Sequence, residues 1–573
     1  MIHMSDYKTF ETDVLVIGSG GAALRAVLAA SDEGAEVTVL VKNNFRKSGA
    51  TFYSVAEVGA YNVPDGAGDP ADNPDVFRED ILKAAQGMAD PRLVDILVNE
   101  SEPSLRYLEK FGVHFERNED RYLAFRACFS SKPRSHVLKD HFKPIMRALG
   151  EEATRRGVRA LDRMMVVGLV SDGTSCHGAM AIDDEGGLVF VRAKSVILTT
   201  GGASQLFSKN LYPADITGDG YAMAWRAGAE LANMEFMQAG VSIIDPFINL
   251  FGNYLWDAHP NLTDRDGVPF VESYLPAGLT VAEVMQEKER HFPFSSSDIS
   301  RYIEISIQRA INEGRGTDKG GVYMDFKNCD FDRLLADKTR SFGQMWPLTY
   351  EWYKERGTDL YKDAVQITCS AHAINGGLRI NENGETTLKG LFAAGETAAG
   401  PHGADRLGGN MAMTCQVFGA RAGKAAAERC REVGVTSVGD GIEAIQAYLA
   451  KFSRTGGEDG AAIRLELQAA ANRSLLILRN EPGLSQFLSE LTELQARLQA
   501  VSAPSRDNFV HAIETDNLIE TGRMMTRAAL LRTESRGSHF REDAPSSNEN
   551  FAVSYILSRG HESGGYFASL GTL

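Results

Sequence analysis

Gly18, Gly20 and Ala23 are the first residues in the chain whose types and spacing can do chemistry. They form a Gly-x-Gly-x-x-Ala pattern, in which backbone N–H groups rather than side chains take hold of a pyrophosphate. Gly18 permits a tight turn, Gly20 lets phosphates approach the backbone, and Ala23 lets a helix pack closely on a strand. Gly21 and Ala22 complete the turn. The pattern works only where a strand leads in and a helix leads out. Asp13-Val14-Leu15-Val16-Ile17 is an apolar, β-branched run, and Leu24-Arg25-Ala26-Val27-Leu28-Ala29-Ala30 has helical composition. The helix N-terminus then offers free N–H groups and a positive dipole end to the phosphates. Glu36-Val37-Thr38-Val39-Leu40-Val41 supplies the second strand of the βαβ unit. A bound dinucleotide is expected.

Which dinucleotide turns on the end of that second strand. NAD sites place an acid there for the ribose hydroxyls. This chain reads Val41-Lys42-Asn43, with no acid, which favours FAD over NAD. The polar loop that follows contains Ser48, Gly49, Ala50 and Thr51 and is expected near the cofactor phosphates. A later strand ends in Thr200-Gly201-Gly202-Ala203, a turn where backbone again comes close to a cofactor.

The elements that must position these residues alternate over the first part of the chain. Residues 75–115 carry apolar residues at helical spacing, and another helix is expected from near His136 to Arg155. Met165–Val170, Leu188–Val191 and Ser195–Thr200 read as strands. Between about 240 and 360 aromatics and prolines become denser, which marks an inserted domain. From about 437 onward the chain reads as mostly helical. At 573 residues, two or three domains are expected. The reading is an α/β chain: a Rossmann-like FAD-binding domain (1–238 and 366–436), an inserted α+β capping domain (239–365) and a C-terminal helical domain (437–573).

Composition removes several classes of function. A net charge of −16 disfavours nucleic acid, because phosphates would be repelled. No apolar stretch approaches eighteen residues and no basic-then-apolar leader opens the chain, so neither a direct membrane span nor export is expected. The six cysteines are scattered with no Cys-x-x-Cys pair, so no resident metal or iron–sulfur cluster and a reducing, cytoplasmic setting are expected.

Eight motifs, in order, resemble the FAD-containing flavoprotein family of fumarate reductase, succinate dehydrogenase and L-aspartate oxidase, with adenylylsulfate reductase more distantly similar. They are Gly18–Ala23, Thr200–Ala203, Thr217-Gly218-Asp219-Gly220, Met234-Glu235-Phe236-Met237-Gln238, Ser370-Ala371-His372 with Gly376-Gly377, Gly390–Glu396, His402–Asn410 and Glu534–His539. The resemblance implies that Lys42, Asp219, Glu396, Gly409 and Asn410 join the glycine loops around FAD. It also implies that His372 and Arg406 bind a substrate carboxylate, for which the planar guanidinium fork is suited.

Three departures from the family stand out. No histidine lies between Ala50 and Ser54, where covalently flavinylated members carry one, so non-covalent FAD is expected. After Gln238 the family's Tyr/Phe-His-Pro-Thr is replaced by Ala239-Gly240-Val241-Ser242, and Ala239-Gly240 together with Ser297 are expected to leave room for a bulkier substrate. The family's proton-delivering arginine falls at Ser297, beside Asp298, and Arg301 one helical turn on is the candidate replacement. Trp256, Asp257 and His259 are further candidates in the insert. The expected activity is hydride transfer between flavin and a carboxylate-bearing small molecule. An adenylylsulfate-reductase-like or other divergent flavoenzyme on a non-dicarboxylate, or a non-catalytic FAD-binding electron-relay subunit, are the alternatives. An iron–sulfur or other electron-transfer protein is the expected partner, docking on the helical segment after residue 437.

Overall fold

The structure, a computed structural model, describes residues 3–53, 56, 58–250, 252–434, 439–452, 457–559 and 566–571. Its central sheet grows from the opening βαβ unit. The strand His3–Ile17 pairs in parallel with Val37–Leu40 on one side and Gly187–Leu198 on the other. Leu391–Ala393 and Arg159–Leu161 extend the parallel part, and Met165–Ser171 and Cys176–Ile182 add an antiparallel flap. Val14, Leu15 and Val16 are fully buried, each burial worth about 1.5–3 kcal/mol, which is why this apolar run reads without alternation. The strands ending at Ile17, Leu40, Leu198 and Ala393 finish along one edge of the sheet, where open α/β sheets bind ligands.

Small residues clamp the helices over that edge. Helix Gly21–Asp32 lies against helix Asn410–Cys430 so closely that a Cβ on Gly423 would stand 2.2 Å from Ala26 O. Three consecutive helices, Pro74–Ala85, Pro91–Asn99 and Ser101–Lys110, fill the stretch expected to be helical, with Asn73 and Asp90 as side-chain N-caps. His136, by contrast, lies in a strand, Ser135–Lys139, paired with Val58–Asn62. The helix begins only at Lys143, after Asp140 and His141 turn the chain in left-handed conformations (φ +61° and +57°). The expected strands 188–191 and 195–200 are one, Gly187–Leu198. Its charged middle stays extended because Arg192 pairs with Glu11 (3.2 Å) and Lys194 with Asp13 (2.7 Å) on the neighbouring strand.

A five-stranded antiparallel sheet, ordered Asn249–Leu250, Met237–Asp245, Val365–Ile374, Val322–Asp325, Asn261–Thr263, carries the aromatic-rich segment over the cavity mouth. Its two long strands, Met237–Asp245 and Val365–Ile374, are also the chain's passages between this sheet and the FAD-binding part. After residues 435–438, which lie outside the described residues together with the 436/437 boundary, come helices Gly439–Leu449, Gly460–Ser474, Glu481–Leu498 and Arg506–Leu531. A hairpin of Ser554–Arg559 and Tyr566–Gly571 follows and pairs with Leu231–Ala232. Among the described residues no helix is long and apolar enough to cross a membrane.

Candidate active site

At the strand edge lies a cavity of about 290 Å³, room for roughly ten waters and so of ligand size. Gly18, Gly20, Gly21, Ala22, Lys42, Ser48, Gly49, Ala50, Thr51, Thr200, Gly201, Asp219, Glu396 and Gly409 all line it. So do His372 and Arg406 at the end covered by the antiparallel sheet. Its nucleotide end is a cradle that side chains would fill. A Cβ on Gly20 would meet only Thr51 Oγ1, at 3.6 Å, and one on Gly49 would meet nothing within 4 Å. Gly18 has φ +113° and its Cβ would stand 2.4 Å from Thr199 O, so only glycine serves the turn. Gly20 caps the helix Gly21–Asp32 with no side-chain hydrogen bond of its own; Gly21 N–H donates to Thr51 Oγ1 (3.1 Å), and Gly21 and Ala22 of the first turn line the cavity where a phosphate would meet the helix N-terminus.

Lys42 stands on the cavity wall with its charge already engaged. Nζ donates to Thr217 Oγ1 (2.7 Å), Asp219 Oδ2 (2.9 Å) and Glu514 Oε1 (2.8 Å). Burial alone would lower its pKa, but the two carboxylates outweigh burial and raise it. Asp219 is engaged too, since its Oδ1 accepts from Asn517 Nδ2 at 2.8 Å.

The opposite end has a different electrostatic character. Arg406 is buried; its Nη1 donates to Leu407 O at 3.0 Å, and its Nε has no partner. Burial lowers its pKa, with Tyr212, Cys128 and Glu396 pulling the other way. His372 stacks on Tyr212 (5.4 Å between centroids, 16°) and is neutral, its pKa pushed down to about 3 by burial and by Arg406. Glu396 is pushed up to about 7 by burial, against a hydrogen bond from Ile374 N–H (3.0 Å) and the field of Arg406. A guanidinium taken out of water with an unused donor is a site prepared for an anion.

Residues 13–411 match the family model of an FAD binding domain, and residues 464–565 match that of the fumarate reductase flavoprotein C-terminus. The CoM/CoB fumarate reductase of Methanothermobacter marburgensis includes one polypeptide that is 33% identical over 568 residues, spanning 96% of this chain and 98% of that protein. The L-aspartate oxidase of Synechocystis is 27% identical, over 95% and 96% of the two chains. A variant of E. coli quinol fumarate reductase FrdA superposes with TM-score 0.83 at 25% identity, over 99% of this chain and 97% of that one. The chain belongs to the fumarate reductase and succinate dehydrogenase flavoprotein family. It is an FAD-dependent oxidoreductase. Adenylylsulfate reductase of Archaeoglobus fulgidus shares the fold, with TM-score 0.76 at 19% identity over 100% of this chain and 97% of that one.

Within this member of the flavoprotein family, several residues singled out from the sequence lie off the cavity wall. Gly202 makes room for Glu396, whose Oε1 would stand 2.3 Å from any Cβ there. Asn410 accepts a hydrogen bond from Asn62 Nδ2 (2.6 Å) at the start of its helix. Arg301 is not brought to the cavity: its Nη1 donates to Ser296 O (2.6 Å) and its guanidinium lies over the Tyr302 ring. Asp298 accepts from His291 Nε2 at 2.8 Å and from Ser300 N–H, and its pKa is lowered by those partners although burial raises it. In the insert, Trp256 is core, and Asp257 is clamped with Glu289 on Arg340, away from the cavity.

Two wall residues escaped the motif reading. His141 is buried with Nδ1 unpartnered, and burial together with Lys143 pushes its pKa down to about 3. Its one sequence signal is a histidine just before a lysine–proline helix start. Phe292 corrects the expectation that Ala239 and Gly240 leave room. A Cβ on Gly240 would lie 2.8 Å from Phe292 Cζ, so that ring already fills the space, edge-on to His372. Ser54 lies outside the described residues; the rest of the loop, Ala50–Tyr53, holds no histidine.

Proposed function

We propose that this flavoprotein moves a hydride between FAD, bound without a covalent link, and a carbon of a carboxylate-bearing small molecule. The observation that carries the reading is Arg406: a buried guanidinium with an unpartnered Nε, on the same cavity wall as the glycine cradle. Bound FAD supplies the hydride chemistry; the protein supplies position and charge. Gly18–Ala22 and Ser48–Thr51 hold the phosphates, Glu396 faces the cofactor's hydroxyls, and Arg406 fixes the substrate carboxylate with His372 donating beside it. The aromatic wall of Tyr212 and Phe292 keeps water from the reacting carbon. Electrons are exchanged with a separate electron-transfer protein or small carrier. The scattered cysteines support this, as does the absence, among the described residues, of any cluster of three or more potential metal ligands.

The test is anaerobic. Holoenzyme mixed with saturated carboxylates should bleach, and reduced holoenzyme should recolour with unsaturated ones; fumarate, named in several relatives, belongs in the panel. Arg406→Ala should lower kcat/KM by roughly a hundredfold or more, whereas Arg301→Ala should leave it within about twofold. A flavin indifferent to every acid, or equal losses in both variants, refutes the assignment. Acid precipitation of holoenzyme should leave a colourless pellet and a yellow supernatant; flavin that stays with the pellet shows a covalent link.

A further inference from the structure

The walls of the cavity differ sharply in charge from one end to the other. Among the described residues its wall carries two cations, Lys42 and Arg406. Lys42 is held at the nucleotide end by Asp219 and Glu514. At the substrate end Arg406 is therefore the single charge available to an anion. The histidines there, His141 and His372, are neutral, so each offers a hydrogen bond without a compensating charge. The surface beside them is uncharged and mostly apolar, with Phe125, Ala127, Cys128 and Phe292, and its polar members include Tyr212 and Asn253, whose Nδ2 already donates to Glu289 O (3.0 Å). Phe292 cannot withdraw easily: its backbone N–H donates to Cys128 Sγ (3.0 Å), its ring lies over Gly240, and it is 3% exposed.

We propose that the acid handled here carries one carboxylate and an uncharged, largely apolar remainder: a 2-enoic monocarboxylate and its saturated counterpart rather than a dicarboxylate. This rests on the carboxylate reading of Arg406 given above. One carboxylate meets the guanidinium and the imidazole of His372. A second would be desolvated against aromatic carbon with no cation to receive it, which is prohibitive, whereas an alkyl or aryl group gains by the same burial. In the reducing direction the C2–C3 π bond breaks and two C–H bonds form. One takes a hydride from reduced FAD, the other a proton that comes ultimately from water; the flavin loses two electrons, which a one-electron donor protein or low-potential carrier restores.

The experiment uses FAD-loaded enzyme reduced anaerobically with a viologen. Crotonate, cinnamate and fumarate are added separately at equal concentration and flavin reoxidation is followed. At least one monocarboxylate should react roughly a hundredfold faster than fumarate. A second readout needs no turnover: butyrate and hydrocinnamate should perturb the oxidised flavin spectrum at lower concentration than succinate. Phe292→Ala, which opens the wall, should shift the crotonate-to-fumarate ratio toward fumarate. Fumarate reacting as fast as, or faster than, both monocarboxylates overturns the inference and leaves the carboxylate reading standing. No response to any acid in either readout overturns both. An unchanged ratio in flavin-loaded Phe292→Ala overturns the role given to that ring.

Discussion

Asp405 sits beside Arg406 in sequence, yet its carboxyl faces another set of partners. Ser295 Oγ donates to its Oδ2 at 2.7 Å and Gln86 Nε2 at 3.2 Å, while Oδ1 is buried without a partner. Burial pushes its pKa up to about 7; Ser295, His291 and Gln86 pull it down, and Asp298 adds to the rise. The folded protein thus holds a proton that the unfolded chain releases near pH 4, so stability falls as pH rises between about 4 and 7. Asp405→Asn removes that titration. Its melting temperature relative to wild type should rise by about 2–4 °C from pH 5 to pH 8; a difference that is flat or falling with pH refutes this. Single residues were legible where they sat in a motif, as His372 and Arg406 did. Phe292 was not, because it meets Gly240 and His372 only when the antiparallel sheet folds back over the cavity.

Elements are joined by charges as well as by apolar faces. Glu235, from the motif preceding strand Met237–Asp245, accepts from Arg532 Nε at 2.7 Å, and Arg532 also donates to Glu534 (2.9 Å); all three are fully buried. Arg479 reaches Glu235 O and His539 Nδ1, both at 2.7 Å, and Ser538 donates to Ala404 O, so the Glu534–His539 motif braces the Arg406 loop. Arg532→Met would leave the buried Glu235 carboxylate without its hydrogen-bonded cation, with only the field of Arg479 nearby, a loss of about 3 kcal/mol. Arg497 also contacts two glutamates, Glu458 and Glu466, but all three are about a third to a half exposed, so Arg497→Met should cost less than about 1 kcal/mol. Denaturant midpoints of the two variants check the ordering, and equal losses would refute it. The long strands and helices were readable from periodicity. The Ser135–Lys139 strand and the C-terminal hairpin were not, because pairing with distant segments, Val58–Asn62 and Leu231–Ala232, decides them.

At the scale of the whole molecule, segments far apart in sequence are drawn to one sheet edge, and the C-terminal helices take part in holding them there. Helix Arg506–Leu531 supplies Glu514 to Lys42, Asn517 to Asp219, and Thr521, whose Oγ1 would stand 2.7 Å from a Cβ on Gly218. The order of motifs made the α/β layout legible, and the alanine, leucine and charge pairs after residue 437 the helical C-terminus, but not this reach of the last long helix into the cofactor wall, since no local pattern in 506–531 points to a nucleotide. Chains with several domains commonly unfold in stages. Here the contacts argue for coupling: melting the helix frees Glu514 and Asn517, leaves Lys42 and Asp219 short of partners, and loosens the FAD cradle. Conversely, FAD bound without a covalent link, as proposed above, adds about 2.7 kcal/mol at about a hundred times its dissociation constant to whatever must unfold before it leaves. Flavin fluorescence on heating should therefore rise together with the loss of helical circular dichroism, and both midpoints should move up with added FAD. Glu514→Ala should lower the two midpoints together, because Lys42 keeps Asp219 and Thr217 but loses its tie to the helix. Flavin released several degrees before the helices melt would show that the C-terminal region is a separate body and that the Lys42–Glu514 contact does not couple it to the cofactor.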